Sequence, residues 1–373
     1  VSYLPLSHIA EQMLTVHMPM AIGGTVYFER VLDNLGETLR EARPAIFLGV
    51  PRVWEKIQAK IMAVGAKNRG LKKRISAWAR GVGLAGGLAE QRGRSRPLLY
   101  GLADRLVYSK VRATLGLDRC KVALSSTAPI SRDTLEFFLS LGIRICEIYG
   151  MSECTGPASI SKPERYRTGK AGYAIPGTEL RIADDGEIYI RGPHVFRGYL
   201  NDEHATAETL DADGWLQSGD IGTLDAEGFL QVTDRKKELI ITAGGKNIAP
   251  AVVESALKTV PVIAQAVVIG DRRRFLSALL TLDPERVQAE ARAAGISGVT
   301  DLRSAAESAA FKAHITQLVA QACAALSRAE TVRKVTILPH ELTEQGGELT
   351  PTLKVKRRVV HDKYAEQIEA MYA

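Results

Sequence analysis

The order of apolar and polar positions changes along the chain and divides it into three parts. The first part is residues 1–175. Within it, short apolar runs alternate with helical ones in residues 1–55, and residues 120–160 follow the order strand, loop, helix, strand. That order predicts a parallel sheet packed against helices. Residues 176–234 are short strands separated by Asp-Gly and Glu-Gly turns, which is typical of antiparallel β-structure or a small barrel. Residues 235–373 mix strands and helices and predict a small α+β domain.

Individual elements follow from the same patterns. Four charged residues in a row, 234–237, separate the last two parts and predict a hinge. A glycine pair predicts a turn followed by a strand at 23–28. The predicted strands are 121–124, 144–149, 264–269 and 277–282, and the predicted helices are 132–141 and 251–259.

Charge changes the picture in one segment. The chain has a net charge of +7, yet residues 56–112 alone contain fourteen lysines and arginines and only two acidic residues. Trp54, Ile57, Ile61 and Trp78 recur at loosely helical spacing along it. A basic amphipathic helix is attracted to anionic membrane surfaces. The alternative is a solvated face around an ordinary core stripe. No set of stacking aromatic residues accompanies the charge, so nucleic acid is not an expected partner.

The cysteines, the length of the apolar runs and the first residues bear on the cellular location of the protein. The four cysteines show neither metal-ligand spacing nor a disulfide pattern, so we expect a reducing cytoplasm, with a peripheral position on the inner membrane face if residues 56–112 bind lipid. Apolar runs such as 262–270 are far shorter than the ~20 residues that span a bilayer. Residues 1–5 lack the order of a signal peptide and resemble the middle of a longer protein.

The densest group of candidate chemistry follows a predicted strand that ends at Ile148. Tyr149 offers an aromatic face, Gly150 a sharp turn, Ser152 a hydroxyl and Glu153 a hard oxygen ligand. In open α/β sheets ligands bind at the carboxyl ends of strands. The stretch therefore indicates a nucleotide and magnesium site, and a strand followed by a turn with incidental polar residues remains the alternative.

Residues 149–153 resemble the Tyr-Gly-x-Thr/Ser-Glu motif of the adenylate-forming enzymes, which include acyl-CoA synthetases, peptide-synthetase adenylation domains and firefly luciferase. Further motifs resembling that family follow in its order at residues 125–130, 186–206, 218–220, 234–239 and 350–357. The amino-acid sequences of residues 4–11 and 244–248 are similar to those of the long-chain fatty-acid–CoA ligase branch.

The resemblance covers essentially the whole chain. It implies an α/β fold that is the C-terminal part of an adenylate-forming enzyme. The expected parts are an incomplete large α/β domain (1–175, with a basic helical insert at 56–112), a small β-rich subdomain (176–234) and a hinged, mobile α+β C-terminal domain (235–373).

The resemblance also assigns roles in the first two parts. Ser126, Ala128 and Pro129 belong to the loop that lies against adenine, beside Tyr149 and Gly150. Ser152 stands where many relatives carry threonine, and its hydroxyl can make the same hydrogen bond to phosphate. Glu153 holds Mg²⁺ and counts as catalytic, and Asp220 accepts two hydrogen bonds from the ribose diol.

In the last part Arg235 resembles the ribose and phosphate contact. Gly244, Gly245 and Lys246 resemble the turn that lines the pantetheine tunnel. Lys354 resembles the catalytic lysine, and the expectation for the stretch around Pro351 is a rigid, extended backbone. Many relatives carry glycine where this chain has Leu353. Without the motif, a hairpin turn at 244–246 and a basic surface strand at 354–358 would be the ordinary interpretations.

The implied reaction is ATP- and Mg²⁺-dependent formation of a fatty acyl-adenylate, followed by transfer of the acyl group to CoA after the C-terminal domain swings about the hinge. The family's Ser/Thr/Gly-rich phosphate loop should precede residues 5–8, and the chain starts after it. Two alternatives stay open: a ligase for a non-fatty carboxylate, and a truncated, catalytically impaired remnant that binds nucleotide or acyl-adenylate. The sequence indicates neither acyl chain length nor an oligomeric state.

Overall fold

The computed structural model describes residues 1–373 and divides into two compact units, Val1–Val232 and Thr233–Ala373. The first unit contains both the α/β part and the β-rich part. The division falls one residue before the four charged residues 234–237 that predict the hinge. Each unit has hydrophobic clusters of its own and is described separately.

A five-stranded sheet forms the centre of the first unit. Its strands, in spatial order, are β1 Ile46–Gly49, β2 Val122–Ser125, β3 Ile145–Met151, β4 Gly156–Ile160 and β5 Tyr173–Ala174. The first three strands pair in parallel, and β3, β4 and β5 pair antiparallel. The predicted parallel pair joined by a helix is confirmed in β2 and β3. Phe47, Leu124 and Phe138 pack in one core around the fully buried Trp54, whose Nε1–H donates to Leu124 O at 3.1 Å.

Helices surround this sheet. The α-helices of the first unit are α1 Ile9–Glu11, α2 Met18–Ile22, α3 Leu35–Ala42, α4 Pro51–Ala66, α5 Gly70–Glu90, α6 Tyr100–Ala103, α7 Ser109–Leu115, α8 Arg132–Leu139 and α9 Glu203–Thr209. Short π-helical segments join α1 to α2 and α6 to α7. The strand predicted at 23–28 is wrong: Phe28 forms only an isolated bridge with Ser2, so too few residues pair to make a strand.

The basic segment is helical, as predicted, but its apolar stripe is internal. Trp54, Ile57 and Ile61 pack into the sheet core, and Trp78 and Val82 pack around Ala79 and Tyr108. The stripe seen in the sequence is therefore an ordinary core stripe.

A second, antiparallel sheet holds the β-rich part. Its strands are β6 Glu179–Ile182, β7 Glu187–Arg191, β8 Leu216–Leu224 and β9 Leu230–Arg235, in that spatial order. Ile188, Ile190, Leu216 and Leu230 are fully buried on one side of it. The predicted antiparallel structure is confirmed, as an open sheet with β6 and β9 at its edges.

The second unit is built on a three-stranded sheet and a short hairpin. The hairpin strands are β10 Ile240–Ile241 and β11 Asn247–Ile248, and the sheet strands are β12 Ile263–Ile269, β13 Leu276–Leu282 and β14 Val332–Ile337. Its helices are α10 Pro250–Leu257, α11 Pro284–Ala293, α12 Leu302–Glu307, α13 Ala309–Ala322, α14 Arg357–Lys363 and α15 Ala365–Ala370. The predicted helix at 251–259 and strands at 264–269 and 277–282 match α10, β12 and β13 within two residues.

All four cysteines are free thiols, three buried and Cys120 half-buried. Burial raises the pKa of Cys120 and Cys154 to about 11 and that of Cys146 to about 12, and it raises the pKa of Cys323 as well. No helix combines the length and apolarity needed to cross a membrane.

Candidate functional site

The stretch with the densest predicted chemistry lies on β3 and the turn that follows it. The sequence places a sharp turn at Gly150, but β3 continues through Gly150 to Met151. A side chain at Gly150 would clash with the carbonyl oxygen of Gly156 on β4, so this glycine serves close strand approach. The reversal lies later, at Thr155 and Gly156, which have φ angles of 55° and 103°.

Tyr149 and Asp220 meet inside the first unit. The Tyr149 hydroxyl donates a hydrogen bond of 2.9 Å to Asp220 Oδ2, and the two residues are only 8% and 7% exposed. Burial and then the nearby Asp220 charge raise the pKa of Tyr149 well above its usual range. The phenol therefore stays neutral and holds the carboxylate beside its aromatic ring.

A bulge in β8 aims Asp220 at Tyr149. Asp220 lies in the middle of β8, which continues through it to Leu224. Pairing with β7 is irregular at this point, and Gly219 has a φ of 71° there. The Gly219 N–H donates to the buried Glu187 carboxylate at 2.8 Å. Extra residues in one strand re-aim a side chain, and here two of them on β8 turn Asp220 inward.

The loop after β2 lies against the same strand. Ser126 Oγ donates to Ile148 O at 3.0 Å, which ties the loop to β3 immediately before Tyr149. Ala128 is half-buried and Pro129 is exposed. The buried hydroxyls of Ser125 and Thr127 have no hydrogen-bond partner, and Thr127 has a φ of 78°. Unpaired buried polar atoms and a strained backbone are typical of functional loops.

Glu153 lies on a short 3₁₀ turn, Ser152–Cys154, directly after β3. Its side chain is half-buried, and the Ser152 side chain is exposed. Glu153 Oε1 accepts a hydrogen bond of 2.8 Å from the Tyr199 hydroxyl, and Glu153 O accepts one of 2.7 Å from the Phe196 N–H. The chain has no group of three metal-binding side chains. Mg²⁺ needs only one or two carboxylates when phosphates and water supply its other ligands, so Glu153 fits that ion.

Sequence reasoning missed two residues near these groups. Tyr199 lies within the motif at 186–206, which gave it no role. Glu147, two residues before Tyr149 on β3, had no sequence signal. The Gly169 N–H donates to Glu147 Oε2 at 3.0 Å, and burial nonetheless raises the pKa of Glu147 to about 7. A carboxylic acid that titrates near neutrality therefore lies on the strand that carries Tyr149.

Arg235 ends β9 and belongs to the second unit. Its N–H donates to Asp234 Oδ1 at 2.7 Å, and Asp234 Oδ2 accepts from the Ala251 N–H at 3.1 Å, which ties the strand end to the start of α10. Burial raises the pKa of Asp234. Gly244, Gly245 and Lys246 lie in the exposed turn between β10 and β11, where Gly245 has a φ of 71°.

Lys354 lies in a tight turn, so the expected extended stretch before it is wrong. The Leu353 N–H donates to Thr350 O at 2.8 Å and the Thr350 N–H donates to Lys354 O at 2.8 Å. Leu349 and Val355 form an antiparallel bridge that closes the turn. Pro351 fixes only its own φ, and Leu353 at a φ of 62° turns the chain back.

A half-buried guanidinium links the segments that flank the two turns of the second unit. Arg357, three residues after Lys354, places Nη2 2.7 Å from both Glu254 oxygens and Nε 3.0 Å from Glu238 Oε2. Glu238 lies two residues before β10. Burial raises the pKa of Glu254, against the opposing effect of Arg357. Arg357 therefore fixes the stem of the Lys354 turn against the segment that follows the predicted hinge.

Comparison with known proteins gives the family. Residues 1–200 match the AMP-binding enzyme family and residues 237–373 match the AMP-binding enzyme C-terminal domain. The long-chain-fatty-acid–CoA ligase ACSBG2 of Xenopus laevis is 45% identical over 401 residues, which cover 100% of this chain and 54% of that protein. The long-chain-fatty-acid–CoA ligase FadD15 of Mycobacterium tuberculosis is 43% identical over 380 residues, covering 99% of this chain and 61% of that protein.

Solved structures agree at the level of the fold. The adenylation domain of a carboxylate reductase from Mycobacterium chelonae superposes with a TM-score of 0.75 at 23% identity, covering 100% of this chain and 53% of that one. The adenylation domain of a carboxylic acid reductase from Segniliparus rugosus, in complex with AMP and a co-purified carboxylic acid, gives 0.74 at 22% identity, covering 99% and 53%. The chain thus spans little more than half of these proteins, and it belongs to the AMP-binding enzyme family of adenylate-forming enzymes.

Proposed function

We propose that the chain is the C-terminal portion of a long-chain fatty-acid–CoA ligase. The reaction has two steps. A fatty carboxylate attacks the α-phosphorus of ATP, forming acyl-adenylate and releasing pyrophosphate, and the CoA thiol then attacks the acyl carbonyl and releases AMP. The names and the 43–45% identity of the two long-chain relatives support the fatty acyl substrate.

The hydrogen bond between Tyr149 and Asp220 carries the nucleotide assignment. It holds a neutral aromatic ring and an acceptor carboxylate side by side at the end of β3. A ring face suits a purine, and a fixed carboxylate suits the two hydroxyls of a ribose. Ser126, on the loop tied to β3, completes the nucleoside side of the proposed site.

Two residues serve the phosphates in this proposal. Glu153 would hold Mg²⁺, which neutralises phosphate charge when bound. Tyr199 keeps the Glu153 carboxylate in one orientation by donating to Oε1, and burial and the hydrogen bond to Glu153 together raise the pKa of Tyr199. Lys354 supplies a compact cation that stabilises negative charge developing during adenylate formation.

The test is ATP–pyrophosphate exchange by the purified chain with palmitate, run beside calorimetric titration with a non-hydrolysable palmitoyl-adenylate analogue. We expect saturable binding of the analogue, weakened at least tenfold in Asp220→Asn because the charge-assisted hydrogen bonds to the ribose are lost. We also expect exchange with palmitate but not with benzoate. Exchange with benzoate alone would establish a non-fatty ligase.

Tyr199→Phe separates the metal role from the nucleoside role. Loss of the hydroxyl leaves analogue binding without metal unchanged, and it raises several-fold the Mg²⁺ concentration that half-saturates exchange. Folded protein that binds no adenylate analogue would contradict the proposal at its foundation. Binding without exchange would leave a nucleotide-binding remnant as the better description.

A further inference from the structure

Helices α4 and α5 are joined through an exposed tip, residues 60–74. Its apolar side chains lie outside every hydrophobic cluster of the first unit, apart from Ile61. Val64 and Leu71 are 68% and 71% exposed, and Met62 is 39% exposed. These three residues are distinct from the core stripe of the same helices. The tip therefore presents apolar side chains that nothing in the unit covers.

The same tip is strongly basic. No acidic residue occurs between Glu55 and Glu90. None of the cations of the tip takes part in an ion pair within the chain. The cations of the tip are Lys60, Lys67, Arg69, Lys72, Lys73 and Arg74, all of them exposed.

The C-terminal half of α5 is closely packed, unlike the tip. Gly83 and Gly87 on α5 are buried against the end of α8, where side chains would clash with Ser140 and Leu139. The guanidinium of Arg80 lies 4.8 Å from the Phe137 ring centroid. Only the first turns of α5 lack such partners, so the exposed side chains of α5 concentrate at the tip.

We propose that this tip docks on an anionic membrane surface. Exposed aliphatic side chains beside unpaired cations match the chemistry of a lipid interface, where the former enter the headgroup region and the latter approach lipid phosphates. Each cation near such a surface adds to the binding, and the tip has six. A single-stranded nucleic acid fits less well because the tip has no aromatic side chain for base stacking.

This inference is independent of the proposed reaction. If both hold, docking brings the enzyme to the phase in which long-chain fatty acids concentrate. Binding to lipid can be measured without turnover, so failure of one proposal does not decide the other.

The experiment measures co-sedimentation of the purified chain with phosphatidylcholine vesicles, with and without phosphatidylserine. We expect binding only when phosphatidylserine is present, and weaker binding as salt is raised. The combined variant Lys67→Glu, Arg69→Glu, Lys72→Glu, Lys73→Glu should bind at least a hundredfold more weakly. The double variant Val64→Ser, Leu71→Ser keeps the charge of the tip, and its affinity for these vesicles should fall about tenfold.

A matched control reverses the same number of exposed, unpaired cations elsewhere: Arg292→Glu, Arg303→Glu, Lys312→Glu, Arg328→Glu. It should retain vesicle binding, and both charge variants should keep the thermal melting temperature and the pyrophosphate exchange of the parent chain. Equal loss in the control would overturn the assignment to the tip. So would absent binding to anionic vesicles, equal binding to pure phosphatidylcholine, or preferential binding of an oligonucleotide.

Discussion

The two lysine-bearing turns of the second unit share one backbone but differ in their surroundings. Each runs from a threonine to a lysine four residues later, Thr242 to Lys246 and Thr350 to Lys354. In each, the threonine N–H donates to the lysine O, and the lysine N–H donates to the threonine Oγ1, at 3.2 Å and 3.0 Å. Both place the residue before the lysine at positive φ, 71° at Gly245 and 62° at Leu353.

The difference lies in burial. Residues 243–247 are exposed, whereas Leu353 and Val355 are partly buried against the cluster around Val360 and Tyr364. A leucine at positive φ is strained by roughly 1–2 kcal/mol. Apolar burial of its side chain offsets a strain of that size. The comparison shows that such a turn does not require glycine when the side chain gains a packed environment.

The largest expected effect separates the two lysines by function. On the proposed reaction, Lys354→Ala lowers ATP–pyrophosphate exchange by about 10²–10³-fold, because charge developing on the phosphate loses its cation. Lys246→Ala leaves exchange within about twofold and slows only the CoA-dependent step. Single-turnover assays of the two half-reactions measure both.

Lys356→Ala is the control for charge alone, because Lys356 is exposed and lies two residues after Lys354. It should retain exchange. Equal losses of exchange in Lys354→Ala and Lys246→Ala would show that the shared backbone, and not the surroundings, decides the role of each lysine.

The next effect concerns the carboxylates that brace the turns. Glu348 is 2% exposed and accepts from Lys363 Nζ at 2.6 Å, the Tyr364 hydroxyl at 3.0 Å and the Thr343 N–H at 3.2 Å. Burial alone would raise the pKa of Glu348, but these hydrogen bonds outweigh it and lower the pKa to about 2. Its ionised form therefore stabilises the folded state.

Glu348→Gln should reduce the free energy of unfolding of the second unit by on the order of 3 kcal/mol at neutral pH. Because the folded pKa is lowered, that stabilisation is present above the ordinary value of 4.5 and is lost as pH falls towards 2. Urea unfolding of parent and variant should converge over that range. Asp271→Asn is the matched change at the exposed turn, where Asp271 accepts from the Ile241 N–H at 3.1 Å, and it should lower stability by less than about 1 kcal/mol. A parallel pH dependence in Glu348→Gln and the parent chain would contradict the role of Glu348.

The smallest effect tests the shared backbone. Gly245→Ala should lower the free energy of unfolding of the second unit by about 1 kcal/mol, because alanine is strained at positive φ. For the same reason the Leu353→Gly variant should have a free energy of unfolding about 1 kcal/mol higher than the Leu353→Ala variant. The alanine variant serves as the reference because it keeps the strain and removes the packing. Calorimetric melting gives both differences. Opposite signs at the two positions would mean that the turns are not equivalent in solution.

The sequence predicted what depends on local pattern. The parallel pair β2–β3, the helix between them and the elements α10, β12 and β13 all follow from apolar periodicity over a few residues. Motif spacing singled out Glu153, directly after β3, and Asp220, although not the place of Asp220 in the middle of β8. Their roles as ligands stay predictions.

The missed features depend on contacts between distant segments. Gly150 was interpreted as a turn residue. The actual reason for a glycine there, the close approach of the Gly156 carbonyl on the next strand, cannot be seen in the local sequence. The pairing of Tyr199 with Glu153 joins residues 46 positions apart. The turn before Lys354 had no local signal, because Leu353 rarely adopts positive φ and does so here with burial. The apolar stripe through Trp54 did not by itself distinguish a core-facing stripe from a membrane-facing one, because that depends on the sheet against which the helix packs.

The buried thiols have a practical consequence for spectroscopy. Thiolates, and not thiols, react with maleimides and iodoacetamides, and the pKa values near 11 and 12 leave Cys120, Cys146 and Cys154 almost entirely protonated at neutral pH. A cysteine introduced at an exposed position such as Arg69 would therefore be labelled selectively in the native chain. Fluorescent or spin probes can be attached without first removing the four natural cysteines.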